Sequence, residues 1–129
     1  MDAERFAVET LPGQEPGAVV LAVRGELDHD TADTLRAALD EQAGAVGDGA
    51  ARGTGASRIV VDCTALTFCD SSGLNVLLRS RLQALEAGRS VELAGLRPPV
   101  SRMFEITGAR SVFRVYEDVS EALTGRRTG

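Results

Sequence analysis

The sequence predicts an α/β domain with a mostly parallel sheet of four to five strands packed with about four helices. Three observations carry this. Residues 18–27 (AVVLAVRGEL) and 58–66 (RIVVDCTAL) are near-continuous apolar runs, as expected of strands buried on both faces. Segments with apolar residues at helical spacing follow these runs. Glycine and proline mark the junctions. Strands alternating with helices imply parallel pairing through right-handed crossovers. At 129 residues, one domain over 1–129 is the simplest expectation.

The elements are expected in the order β-β-α-β-α-β-α-β-α. Residues 4–11 (ERFAVETL) place Phe6 and Val8 on one side of a half-exposed first strand, antiparallel to the second. The breakers in PGQEPG, 12–17, make a turn. After the 18–27 strand, Asp30 or Thr31 can cap a helix carrying Leu35, Ala38, Leu39 and Ala43, which Gly44 can stop. Residues 44–57 hold five glycines and four alanines, which removes any periodicity and predicts a flexible loop. The 58–66 strand then leads to Ser71 or Ser72, where a helix opens. Its apolar stripe is read as Leu74, Leu77, Leu78, Leu82 and Leu85, opposite Asn75, Arg79, Gln83 and Glu86, with Gly88 at its end. A strand at 89–96 alternates Val91 and Leu93 with polar neighbours. Pro98 or Pro99 starts a helix that turns Val100, Met103 and Phe104 inward and closes at Gly108. VFRVY, 112–116, is a last short strand. Val119, Ala122 and Leu123 mark a final helix, and 125–129 a frayed tail.

Composition narrows the function. The formal net charge is −5, which disfavours nucleic acid and anionic membranes as partners, since both need a basic footprint. The start, MDAERFAVETLP, lacks the basic-then-apolar layout of a signal peptide, and a cytoplasmic location is expected. All 14 basic residues are arginine. A phosphate-loop lysine, a Schiff base and a lysine general base are therefore excluded. Cys63 and Cys69, with the single His29, do not make a zinc site. Two reduced, buried thiols are expected, with no metal and no cofactor.

The most specific stretch is TFCDSSGLNVLL, 67–78. Parallel strands collect functional loops at their C-terminal edge. There GELDHDTAD, following one strand, should meet TFCDSSG, following the next. Glu26, Asp28, Asp30 and Asp33 have no arginine among them, so an acidic edge facing Asp70 and Ser71 is expected. Four readings compete. Asp70 or Ser71 can cap the helix, although capping needs only one such residue. CDSSG nearly matches a nucleophile elbow, but Cys69 stands where a glycine is needed and only His29 could be the base. Asp28, Asp30 and Asp70 suit a magnesium or aspartyl-phosphate site, yet the lysine used by such enzymes is missing. A phosphate on Ser71 would meet free N–H groups at a helix N-terminus and add about −1.5 to −2 charges.

VRGELDHDTADTL, IVVDCTALTFCDSSGLNVLL, VELAGLRPPVSRMFEITG and FRVYEDVSEAL, taken in order, resemble the bacterial anti-sigma factor antagonists of the STAS domain family. The resemblance runs from about residue 4 to residue 124. It implies a STAS-like domain with no catalytic activity. Its partner would be an anti-sigma factor that is itself a serine kinase using ATP, and a serine phosphatase would reverse the mark. By this resemblance Ser71 is the phosphorylated residue, and Asp70 aids the kinase interaction. Ser72 and Gly73 shape the helix start, Asp28 lies on the neighbouring contact surface, and Asn75 and Arg79 face the partner. The protein is expected as a monomer or weak dimer. Asn75 stands where the family often has glycine, Cys69 where it often has a larger hydrophobe, and the 44–57 loop is longer than usual. The same resemblance admits a second use, as a non-catalytic scaffold or partner subunit of a sensory or transporter complex.

Overall fold

Five strands lie side by side in the order in which the chain makes them. The computed structural model describes residues 5–13, 17–43 and 56–124. They form β1 (Phe6–Pro12), β2 (Ala18–Leu27), α1 (Ala32–Gln42), β3 (Arg58–Cys69), α2 (Ser71–Glu86), β4 (Ser90–Ala94), α3 (Val100–Thr107), a 3-10 turn (Ala109–Ser111), β5 (Val115–Tyr116) and α4 (Val119–Thr124). As expected, β1 pairs antiparallel with β2, and β2 through β5 are parallel. Gly44, most of the 44–57 loop, the centre of the 12–17 turn and the 125–129 tail lie outside the described residues.

Successive strand residues point to opposite faces, and the apolar runs therefore feed two cores. Val19, Leu21, Val23, Ile59, Val61, Val91 and Leu93 pack with Leu35 and Leu39 of α1, Leu77 of α2 and Phe104 of α3. Val20, Val60, Ala94 and Tyr116 pack on the other face against Ala122 of α4. With so few aromatics, buried aliphatic residues carry most of the stabilisation, each contributing about 1.5–3 kcal/mol.

The structure changes four expectations. β3 runs to Cys69, not 66, and its extra length against β2 is absorbed by irregularities between Ala22 and Arg24 and between Gly25 and Glu26. β5 is reduced to Val115–Tyr116, because the 3-10 turn consumes the approach to it. In β4, Glu92 is buried instead of facing water. It is held by the Arg58 guanidinium at 2.8 Å and by the Ser90 hydroxyl at 2.9 Å. Arg58 also donates to the Ala122 carbonyl and stacks over Tyr116, 5.7 Å from the ring centroid, so it pins α4 to the sheet. The fourth change concerns α2. Its buried side consists of Gly73, Leu74, Val76, Leu77, Ser80 and Ala84, while Leu82 and Leu85 are 55% and 51% exposed. The helix sets its small residues toward the protein. That allows close packing, and it turns two of the five stripe leucines outward.

Candidate functional site

The edge predicted from parallel pairing is present. Leu27 and Cys69 are register partners at the ends of β2 and β3, and the Asp70 N–H donates to the Leu27 carbonyl at 3.1 Å. The segments GELD and CDSSG therefore leave the sheet side by side.

Asp70 is the N-cap of α2. One of its carboxylate oxygens accepts from the Ser72 and Gly73 N–H groups at 2.9 and 3.2 Å. This places Ser71 at the first helical position, exposed. Ser72 is partly buried and Gly73 buried. A Cβ on Gly73 would strike the Leu27 side chain and lie 3.2 Å from the Cys69 sulfur. Gly73 thus sets how closely α2 approaches β2 and presents no side chain of its own. Asn75 and Arg79 are exposed one and two turns beyond Ser71.

Beside this helix start, Asp28 organises the turn into α1. Its carboxylate accepts from the Asp30 and Thr31 N–H groups at 3.0 and 3.2 Å. The Asp28 N–H donates to the Thr31 hydroxyl at 2.8 Å, and that hydroxyl donates to the Glu26 carbonyl at 2.9 Å. Thr31 is the N-cap position of α1, but no side chain caps its first turn.

The expectation of an acidic edge without arginine is corrected. Arg5, just ahead of β1, grips Asp28 at 2.9–3.1 Å and lies 3.4 Å from Glu26 and 3.8 Å from Asp30. Arg36 pairs with Asp33 at 2.6 Å. Partial desolvation works to raise the Asp28 pKa, but the Arg5 hydrogen bonds and charge outweigh it and hold the carboxyl below its ordinary value. Gly25 makes the grip possible. Its φ is +96°, and a Cβ there would collide with the Arg5 carbonyl, which accepts the Glu26 N–H at 2.7 Å. No local sequence signal marked Arg5, because antiparallel pairing brings it from twenty-odd residues away. Gly25 was visible within GELD, though its reason was not.

These contacts limit the chemistry. The Asp28 and Asp70 carboxylates are both engaged with backbone N–H groups, and Asp28 also with Arg5. Among the described residues no group of three or more His, Cys, Asp or Glu is placed to hold a metal ion. Cys63 and Cys69 are both buried. Burial, reinforced by the Asp70 charge, pushes the Cys69 thiol up to about 12, so it is not a thiolate near neutral pH. Burial likewise raises Cys63. The edge is built to present the start of a helix, and Ser71 is the hydroxyl it presents.

By fold this is a mostly parallel α/β domain, and its candidate site lies at the edge where β2 and β3 end. The STAS domain family model matches residues 12–122, and the chain belongs to the STAS domain family. It is 31% identical to the anti-sigma F factor antagonist of Paenibacillus polymyxa over 84% of this chain and 86% of that protein. The crystal structure of an anti-sigma factor antagonist from Mycobacterium paratuberculosis superposes with a TM-score of 0.73 at 25% identity, covering 95% of this chain and 96% of that one. The anti-sigma factor antagonist SpoIIAA in its unphosphorylated form superposes with a TM-score of 0.67 at 25% identity, covering 95% and 100%. Among the described residues no helix is long and apolar enough to cross a membrane.

Proposed function

We propose that this chain is an anti-sigma factor antagonist that binds an anti-sigma factor serine kinase while unphosphorylated and is released when Ser71 is phosphorylated. The observation that carries this reading is the exposed Ser71 hydroxyl at the first position of a helix whose start is fixed by Asp70. Relatives named as anti-sigma factor antagonists support it, as does the description of SpoIIAA by its phosphorylation state.

The physical switch is local. The kinase would transfer the γ-phosphoryl group of ATP to the Ser71 oxygen, which loses its proton as ADP leaves. The added charge of about −1.5 to −2 would sit beside Asp70 and near the Arg5–Asp28 pair. A partner fitted to the neutral hydroxyl would then meet repulsion and bulk, with no refolding required. Asp28, Asp70, Asn75 and Arg79 would form the surrounding contact surface. The chain itself would be non-catalytic, and a serine phosphatase would restore it.

The test incubates the purified chain with each anti-sigma factor of its host and ATP, then maps phosphate by peptide mass spectrometry. One phosphoryl group on the Ser71 peptide, absent in Ser71→Ala, is expected. Ser71→Ala should still bind the kinase, and Ser71→Asp should bind more weakly. If both variants bind like wild type and no phosphate reaches Ser71, the reading is wrong.

A further inference from the structure

The outward face of α2 sets two exposed leucines among its polar residues. At 3.6 residues per turn, Ser71, Asn75, Leu78, Leu82 and Leu85 all fall within roughly 40° of one line. Their spacing is 4, 3, 4 and 3, the repeat by which one helix seats against another. The line lies opposite the buried residues Gly73, Val76, Leu77, Ser80 and Ala84. Leu78 is partly buried, whereas Leu82 and Leu85 are more than half exposed. At its far end the seam meets a shallow cavity of about 350 Å³ lined in part by Leu85, Val112, Arg81 and Arg114. Val112 is itself 40% exposed.

We infer that this seam docks a helix of the anti-sigma factor, extending the contact from Ser71 along the whole of α2. The inference rests on the function proposed above and specifies how the partner is held. Two features select the occupant. The seam is continuous with the switch, since Ser71 stands at its head, so a helix lying along it brings its end to the phosphorylatable hydroxyl. The flanks carry a basic excess in a chain of net charge −5: Arg79 and Arg81 border the seam and Arg114 its far end, against the one exposed carboxylate of Glu86, and none of the three arginines makes an ion pair with a described residue. The partner helix is therefore amphipathic, with large apolar residues at 3–4 spacing and carboxylates along its edges. A second copy of this chain would match those flanks less well, because its own α2 brings the same excess of arginine over carboxylate.

The experiment measures binding of the host anti-sigma factor that phosphorylates Ser71, by titration calorimetry, to wild type, L82Q/L85Q, R81E, I106Q and S71D. Sedimentation of each free chain gives its oligomeric state. Leu82 and Leu85 are exposed, so the double variant should fold as wild type. The expected result is at least about tenfold weaker binding for L82Q/L85Q, the loss typical of an interface anchor. R81E and S71D should also bind more weakly. I106Q, which removes an apolar residue 77% exposed on α3, should bind as wild type. If S71D weakens binding while L82Q/L85Q does not, the seam is overturned and the switch stands. If wild type is a dimer that L82Q/L85Q dissociates without loss of partner affinity, a second copy covers the seam and the inference is wrong. If no host anti-sigma factor binds wild type, the function reading fails and the inference falls with it.

Discussion

The Asp70 N–H is bonded to the Leu27 carbonyl, and three residues later Gly73 packs against the Leu27 side chain with no room for a methyl group. Leu27 is 1% exposed and cannot swing into solvent. Gly73→Ala is therefore expected to destabilise the protein by about 1–3 kcal/mol through overpacking, measured by urea unfolding. Wild-type stability in that variant would mean that α2 can lift from β2 freely.

Asp70 serves the fold whatever its part in partner binding. Asp70→Ala removes the acceptor for two helix N–H groups and should cost about 1 kcal/mol. Asp70→Asn keeps a good cap and should stay close to wild type. If Asp70→Asn binds the kinase weakly yet unfolds like wild type, the carboxylate charge acts at the interface and not in the fold.

The facing of α2 is open to a direct comparison. Leu77→Ala, at a buried position, should lose about 2–5 kcal/mol. Leu85→Gln, at an exposed position, should change stability by about 0.5 kcal/mol or less. Equal losses at the two sites would contradict the helix orientation described here.

The Arg58–Glu92 pair is partly buried, with side-chain exposures of 17% and 10%. Arg58→Met strands Glu92 and should cost about 3 kcal/mol or more. Glu92→Leu added to that variant should recover part of the loss, because the buried charge is then gone. A double variant no better than Arg58→Met would show that Arg58 acts mainly by holding α4.

The grip of Arg5 on Asp28 gives acid stability a sign. The Asp28 pKa is depressed in the folded state. Its contribution is then fully present above the unfolded carboxylate value of about 3.9 and is lost as pH falls through the lower folded value. Wild type should lose stability more steeply on acidification below about pH 5 than Arg5→Met, in which the shift is relieved. Parallel stability curves would exclude the ion pair as a source of acid sensitivity.

Much of this protein was legible in its sequence, for local reasons. Short apolar runs such as VVLAV and IVV, rich in β-branched residues and bounded by turn signals, fit a sheet covered on both faces, and Asp-Ser-Ser-Gly can cap a helix as soon as the chain leaves β3. These features depend on neighbours along the chain, so the order of elements, the antiparallel β1 and the edge carrying Ser71 could be read before any coordinates. Three things required the tertiary structure. Arg5 neutralises the acidic turn because β1 pairs antiparallel with β2, a relation that nothing near Asp28 reveals. Glu92 is buried because Arg58 and α4 meet above it. The leucines of α2 satisfy two faces of a helix equally well in sequence. It is the close approach of Gly73, Ser80 and Ala84 to the protein, permitted by their small size, that decides which leucines are core and which are left for another surface.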